Sequence, residues 1–390
     1  MKDYYDVIVV GGGPTGSTAA RLAAEGGVKV LLLEKDREIG IPVRCGEAVG
    51  EKGISKIVEL KEEWIANHIK GLRLVAPDGT KVKVHHEDVG FVLDRKRFDY
   101  DLAMNAANAG AEVVTKAYAF GLLTENGTVT GVKVQYIGKQ YDIRSKIVIG
   151  ADGVESRVGR WAGLKTNLKL KDVETCAQMT ATNINIDQNY CDFYFSSDIA
   201  PGGYLWVFPK NKNTANIGLG LAGDKAQNKS PLSYLKDFMK SNFPDASVLT
   251  TVAGGVPVAP YTENIVSNGL MLVGDAAHQS NPISGGGIVL GMLAAQIAGR
   301  IASEAVKENN VSEQRLSQYV KEWEKAGGSN HRRAYRLKES VAKLTDDDLN
   351  KTAAAIQKKP EDKHTVVNIF KAALINQPKL IPDIFKIFLG

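Results

Sequence analysis

Three glycines, Gly11, Gly13 and Gly16, stand at the spacing that cradles the pyrophosphate of a dinucleotide. They follow an apolar run, Tyr5 to Val10, and open a helical stretch, Ser17 to Glu25, that stops at Gly26-Gly27. Gly11 permits the tight strand-to-helix turn, Gly13 leaves backbone open to a phosphate, and Gly16 lets the helix lie close on the strand. The phosphates then meet N–H groups and the positive end of the helix dipole. A second apolar strand, Val28 to Leu33, delivers Glu34, 23 residues after Gly11, a distance that suits a carboxylate accepting hydrogen bonds from a ribose. This pattern predicts a dinucleotide site, and its spacing suits NAD as well as FAD.

The elements that position such a site come from a chain of 390 residues, 44% of them hydrophobic, long enough for roughly two to three domains. A net charge of +5, from 49 basic and 44 acidic residues, lacks the concentrated basic stripe of a nucleic-acid binder. The absence of an unbroken apolar run of about 18 residues and of a cationic leader predicts a cytoplasmic protein. Cys45, Cys176 and Cys191 are odd in number and widely spaced, which predicts reduced thiols without a disulfide framework or a zinc site. No metal site is expected, and His85-His86 reads as a solvated pair.

Beyond the first unit, Phe91 to Leu93 and Glu112 to Thr115 read as strands and Arg97 to Ala109 as a helix. Thr130 to Tyr136 and Tyr141 to Arg144 read as a hairpin, and Lys146 to Ala151 as a separate apolar strand ending in Asp152-Gly153. From Asp172 the texture turns to strand alternation at Cys176 to Thr182, Tyr190 to Phe195, Tyr204 to Phe208 and Ala215 to Leu221. Leu270 to Val273, Gly274-Asp275 and a small-residue helix from Ile288 to Val306 return to the first texture, and charge-rich helices follow. The fold class predicted is α/β: a discontinuous Rossmann-like FAD domain (1–171 with small β excursions, and 263–308), an inserted antiparallel sheet domain for substrate (172–262), and a helical C-terminal region (309–390).

The order of motifs, Gly11/Gly13/Gly16, then Arg95-x-x-Phe98-Asp99, Asp152-Gly153 and Gly274-Asp275, resembles the FAD oxidoreductases of the p-hydroxybenzoate hydroxylase type. Gly285-Gly286-Gly287 before Ile288 adds glycine N–H groups at a helix start, suited to the negative charge of a reduced flavin. Two segments, Pro42-Val43-Arg44-Cys45-Gly46-Glu47 and Pro201-Gly202-Gly203-Tyr204-Leu205-Trp206-Val207-Phe208-Pro209, resemble signature stretches of archaeal geranylgeranyl reductases. Ala48 stands where many relatives have glycine. The resemblance covers most of residues 1 to 306 and weakens in the C-terminal helices. It implies FAD contacts at Gly11, Gly13, Thr15, Gly16, Glu34, Cys45, Gly46, Ala48, Arg95, Ala119, Asp275, Gly287 and Ile288.

The resemblance further implies that reduced FAD gives hydride from N5 to one carbon of an isolated alkene in a geranylgeranyl ether lipid or prenyl diphosphate, while an acid or ordered water protonates the other. Cys45 is the leading candidate for that acid or for ordering it, since a thiol with a reference pKa of about 8.5 is protonated at neutral pH; a packed cysteine without chemistry is the alternative. Tyr204, Trp206 and Phe208 alternate along one strand and share a face, either the wall of a prenyl tunnel or ordinary core. The donor of electrons is left open among ferredoxin, NADPH and a reduced deazaflavin. A lipid substrate implies peripheral contact with the inner face of a membrane, for which Arg332, Arg333, Arg336, Lys338 and the apolar end Ile381 to Leu389 are candidates; docking of that end on the body is the alternative. A flavin monooxygenase or halogenase of the same fold, and a non-catalytic flavin-containing lipid carrier, are the competing functions.

Overall fold

The computed structural model describes residues 1–84, 89–226, 229–262, 264–375 and 377–389, so the His85-His86 pair lies outside the described residues. The chain forms two units, each assembled from three separate segments: Met1–Ile41, Arg95–Leu168 and Ala259–His331 in the first, Pro42–Asp94, Lys169–Val258 and Arg332–Gly390 in the second.

The first unit is built on a parallel sheet. Strand Tyr4–Val10 lies at its centre, between Val30–Leu33 and the latter half of Lys139–Gly150, with Glu112–Val114 and Leu270–Leu272 outside them. Such strands are covered on both faces, which is why Val7, Ile8, Val9 and the run Val30 to Leu33 are all buried. Helix Pro14–Glu25 packs on helix Ile288–Lys307 through small residues. A Cβ on Gly299 would lie 2.5 Å from the Ala19 carbonyl oxygen, so only glycine admits this close crossing. Ile288–Lys307 is the one helix among the described residues long and apolar enough to cross a membrane, and 56% of its apolar window is buried in the protein.

Lys139–Gly150 corrects the expectation of a hairpin arm followed by a separate strand. It is one 12-residue strand, antiparallel to Thr128–Tyr136 over its exposed first half and parallel to Tyr4–Val10 over its second. Burial changes along it, so its polar half and its apolar half look like two elements in sequence.

The second unit holds a seven-stranded sheet in the order Ser247–Pro257, Val173–Thr182, Thr214–Ala222, Tyr204–Asn211, Tyr190–Tyr194, Gly71–Val75 and Lys81–Val84. All pairings are antiparallel except Tyr190–Tyr194 with Gly71–Val75. That pairing explains why Pro42–Asp94 groups with this sheet rather than with the dinucleotide fold, as residues 1–171 were expected to do. A small sheet of Ala48–Val49, Phe91–Leu93 and Ile65–His68 belongs here too. Side chains of the seven-stranded sheet alternate between its two faces. Ala177, Met179, Leu205, Val207, Ile217, Leu219 and Leu221 bury one face beneath helix Pro231–Asn242, which contributes Leu235, Phe238 and Met239. Gln178, Trp206 and Gly218 stand on the other face. The C-terminal helices behind Arg332 also pack into this unit, Ala353 and Ile356 closing on Val82. The boundary expected at 308–309 thus falls within a helical region that the two units share out at His331/Arg332.

Candidate functional site

In the first unit the three fingerprint glycines have the separate roles their spacing implies. Gly11 has φ +109°, and a Cβ there would sit 2.3 Å from the Ala151 carbonyl oxygen. At Gly16 a Cβ would meet the Gly11 carbonyl oxygen at 1.8 Å, whereas at Gly13 it would meet nothing within 4 Å. The first two are steric necessities, and the third faces open space. Helix Pro14–Glu25 makes its first backward bond from the Ser17 N–H to the Gly13 carbonyl, 2.9 Å, so Thr15 and Gly16 present N–H groups with no intrahelical acceptor. The Thr15 hydroxyl end lies against the backbone of Gly274 and Gly291, which brings the late motif to the same turn.

Glu34 accepts from the N–H groups of Gly12 and Asp36, each 2.8 Å, so its carboxylate is fixed in direction beside the glycine loop. Arg95 holds Asp99 with two 2.6 Å bonds on helix Arg95–Asn108. Asp275 stands on the turn Gly274–Ala277, and a Cβ on Gly287 would be 3.0 Å from its Oδ1. Burial pushes its carboxyl up to about 6, with the Arg95 charge acting in the opposite direction. Gly287 caps helix Ile288–Lys307, whose first backward bond runs from Gly291 N–H to Gly287 carbonyl, leaving the N–H groups of Ile288 and its two successors without intrahelical acceptors. Asp152 spends one oxygen on the Val158 N–H at 3.0 Å, while its other, buried oxygen has no hydrogen-bond partner. Ala119 is buried on strand Ala117–Glu125 opposite Val134. Open glycine backbone, two helix starts with unspent N–H groups, a directed carboxylate and an orphaned buried oxygen together fit a dinucleotide.

Three residues that sequence reasoning missed hold this cradle. Ser156 Oγ donates to the Ala276 carbonyl at 2.8 Å, tying the Asp152-Gly153 turn to the Gly274-Asp275 turn. Gln279 accepts the Gly274 N–H at 2.7 Å and donates to the Tyr319 hydroxyl, which donates to the Leu272 carbonyl. Nothing in the spacing of Gln279 or Tyr319 marks them; only the fold brings them to the motif.

In the second unit, Tyr204, Trp206 and Phe208 share one face, their ring centroids 5.9 and 6.1 Å apart in succession. Phe193, opposite Trp206 on the neighbouring strand, extends the wall at 5.5 Å from Tyr204 and 5.2 Å from Phe208. Gly218 is what lets the indole lie flat, since a Cβ there would be 2.4 Å from Trp206 Cζ2. Trp206 thereby crosses an entire strand and donates from Nε1 to Gln178 Oε1 at 3.0 Å.

The Cys45 loop is bound to this face. Gln178 Nε2 donates to the Cys45 carbonyl at 2.8 Å, and the Glu47 N–H donates to Cys45 Sγ at 3.2 Å. Gly46 lies against Phe208, where a Cβ would come within 2.8 Å of the ring. Glu47 is buried and left-handed, φ +72°, a conformation disfavoured for a side chain with a Cβ. Its Oε2 accepts from Lys210 Nζ at 2.6 Å and from Asn216 Nδ2, which also reaches the Gly46 carbonyl at 3.3 Å. Thr180 Oγ1 fixes Asn216 through its Oδ1 at 2.8 Å.

Further along the same face, Glu174 and Cys176 flank Tyr204. Burial pushes the Cys176 thiol up to about 12 and Cys191 higher still, so both stay protonated. Glu174 Oε2 is buried with no hydrogen-bond partner, and burial raises that carboxyl to about 7. Three of the basic residues considered for a membrane are ion-paired: Arg336 grips Asp383 at 2.6 Å, Arg333 approaches it at 3.7 Å, and Lys338 reaches Asp172 at 3.3 Å. The terminal helix Ile381–Phe388 is thereby docked on its own unit.

Residues 172–256, the core of this sheet, match the family model of the geranylgeranyl reductase catalytic domain, and residues 9–60 match an NAD(P)-binding Rossmann-like domain. The digeranylgeranylglycerophospholipid reductase 2 of Methanococcoides burtonii is 46% identical over 100% of this chain and 97% of its own length. The chain belongs to the digeranylgeranylglycerophospholipid reductase family. The corresponding protein of Methanocella arvoryzae is 47% identical to this reductase over 98% of the chain and 99% of its own. Among solved structures, a geranylgeranyl bacteriochlorophyll reductase-like protein from Thermoplasma acidophilum superposes on the reductase with a TM-score of 0.91 at 38% identity, covering 99% of each chain. A flavin-dependent brominase variant shares the fold at a TM-score of 0.74 and 17% identity over 95% of each chain.

Proposed function

We propose that this reductase saturates isolated carbon–carbon double bonds in the geranylgeranyl chains of an archaeal ether-lipid precursor, with FAD as its cofactor. The observation that carries the reading is the face of the catalytic-domain sheet, where an aromatic wall and a thiol-bearing loop are built onto one another. The glycine turns, Glu34, Asp275 and the helix start at Gly287 would hold FAD, which when reduced by an external donor such as ferredoxin, NADPH or a reduced deazaflavin would supply hydride.

The protein's own work is orientation, exclusion of water and delivery of a proton. An isolated alkene has no carbonyl to polarise, so the rate depends on holding it in a near-attack position in a dry site. Tyr204, Trp206 and Phe193, backed by buried Phe208, offer apolar surface at about 25 cal/mol for each Å² withdrawn from water, without demanding a hydrogen-bond pattern that a prenyl chain lacks. Cys45 is the proton donor or orders it, its sulfur oriented by the Glu47 N–H. A lipid substrate also calls for contact with a membrane surface. Exposed Ile375, Ile381, Phe385 and Leu389, beside exposed Lys379 and Lys386, provide an apolar and cationic patch for that contact.

The test is anaerobic: photoreduce the flavoprotein, add a geranylgeranyl lipid, follow flavin reoxidation and weigh the product by mass spectrometry. Reoxidation with a gain of two hydrogens per event supports the reading. A protein that stays reduced is a carrier, and one that consumes oxygen without saturating the lipid is a monooxygenase or halogenase. Cys45→Ala with an unchanged single-turnover rate removes the thiol from the chemistry. Co-sedimentation with liposomes, with and without the terminal helix, tests the membrane contact.

A further inference from the structure

Gln178 is buried, 5% exposed, and both ends of its amide are engaged by groups central to the proposed site. Its oxygen accepts the Trp206 indole N–H and its nitrogen donates to the Cys45 carbonyl. One planar group thus sets the distance from the aromatic wall to the thiol loop. A second clamp acts two residues along the loop, where Lys210 and Asn216 hold the Glu47 carboxylate and Asn216, itself 0% exposed, also holds the Gly46 carbonyl. The loop needs such restraint. Glu47 occupies the left-handed region without being glycine, and in that conformation its N–H points at Cys45 Sγ.

We infer that Gln178 is the positioning residue of the reaction: by bridging Trp206 to the Cys45 carbonyl it fixes where the thiol stands relative to the substrate wall, while Asn216 and Lys210 lock the strained Glu47 that orients the sulfur. The inference rests on the proposed role of this face in alkene reduction, but its first readout does not. A carboxyl in place of the amide reproduces both bonds only when protonated, since it then donates to the Cys45 carbonyl and still accepts from the indole. Ionised, it sets a negative charge against the carbonyl oxygen.

The experiment uses the full-length flavoprotein with Gln178→Met and Gln178→Glu. Alkylation of Cys45 by iodoacetamide is followed by peptide mass spectrometry, beside single-turnover reduction of a geranylgeranyl lipid and thermal denaturation. For Gln178→Met the alkylation rate of Cys45 rises about five- to tenfold, the scale of one lost hydrogen bond, and kcat falls by a similar factor while KM for the lipid and flavin content hold. For Gln178→Glu the ratio of each rate to that of wild type at the same pH returns toward one as pH is lowered, a reversal that loss of packing does not give; taking the ratio cancels the fall in thiolate that acid causes in every variant. Wild-type alkylation and turnover in Gln178→Met, or a Gln178→Glu profile that does not recover in acid, overturns the inference. If Gln178→Met does not fold, Trp206→Phe, which removes only the indole N–H and keeps an aromatic ring, must accelerate Cys45 alkylation, and an unchanged rate is equally fatal. If Cys45→Ala retains full single-turnover activity, the chemistry assigned to the thiol fails, while the alkylation rates still decide whether Gln178 places it.

Discussion

Replacing Glu174 by Gln removes a titration that the folded protein must accommodate at a cost. Burial raises this carboxyl from 4.5 to about 7, with Lys338 and Lys225 pulling it down and Asp224 adding to the rise. Cys176 and Tyr204 share its surroundings, and its buried Oε2 has no hydrogen-bond partner. The folded state therefore binds the proton more tightly than the unfolded chain. The resulting stabilisation is complete below pH 4.5 and is lost as pH rises through about 7, a difference of about 3 kcal/mol across the window. Gln is neutral throughout, so Glu174→Gln abolishes this slope. Near pH 5 the two proteins have similar stability, the variant bearing up to about 1 kcal/mol for its extra N–H. Above pH 8 the variant is the more stable, by a margin on the order of 5 to 10 °C in Tm at this size of unit. Differential scanning fluorimetry from pH 5 to 8.5, on variant and wild type side by side, makes the comparison. Melting curves that shift in parallel over this range refute the reasoning, because they mean that the carboxyl is solvated or paired when folded.

Gly16→Ala, which drives a Cβ into the Gly11 carbonyl, yields protein that has lost most of its flavin, read from the visible absorbance of the purified material. Gly218→Ala expels the Trp206 indole from its place across the strand; it costs about 1–3 kcal/mol, shifts the tryptophan fluorescence and breaks the link to Gln178. Asp383→Asn weakens the grip of Arg336 on the terminal helix by about 1–2 kcal/mol, and limited proteolysis then cuts ahead of Ile381 faster while the central sheet stays protected.

The dinucleotide cradle was legible in sequence because its constraints are local: Gly11 and Gly16 are demanded by atoms within a few residues or on the adjoining strand end. The aromatic face was legible for a similar reason, since alternation along Tyr204, Trp206 and Phe208 is a property of one strand. What escaped depends on pairings between distant segments. Arg73 meets Asp192 across 119 residues, and this strand pair draws Pro42–Asp94 into the second unit. Gln178 and Asn216 are ordinary polar residues until the sheet sets them opposite the Cys45 loop, and Phe193 joins the wall only through its cross-strand register with Trp206. The ion pair of Arg336 was hidden for the same reason, because its partner Asp383 lies in the last helix.

The interleaving of the two units bears on how the chain is made. Synthesis runs from the N-terminus, and domains ordinarily fold as they emerge. Here the first unit lacks the strand Leu270–Leu272 and the long helix that covers its sheet until residues near His331 have left the ribosome, and the second waits for its final helices. Neither unit can therefore be completed from one uninterrupted stretch of chain.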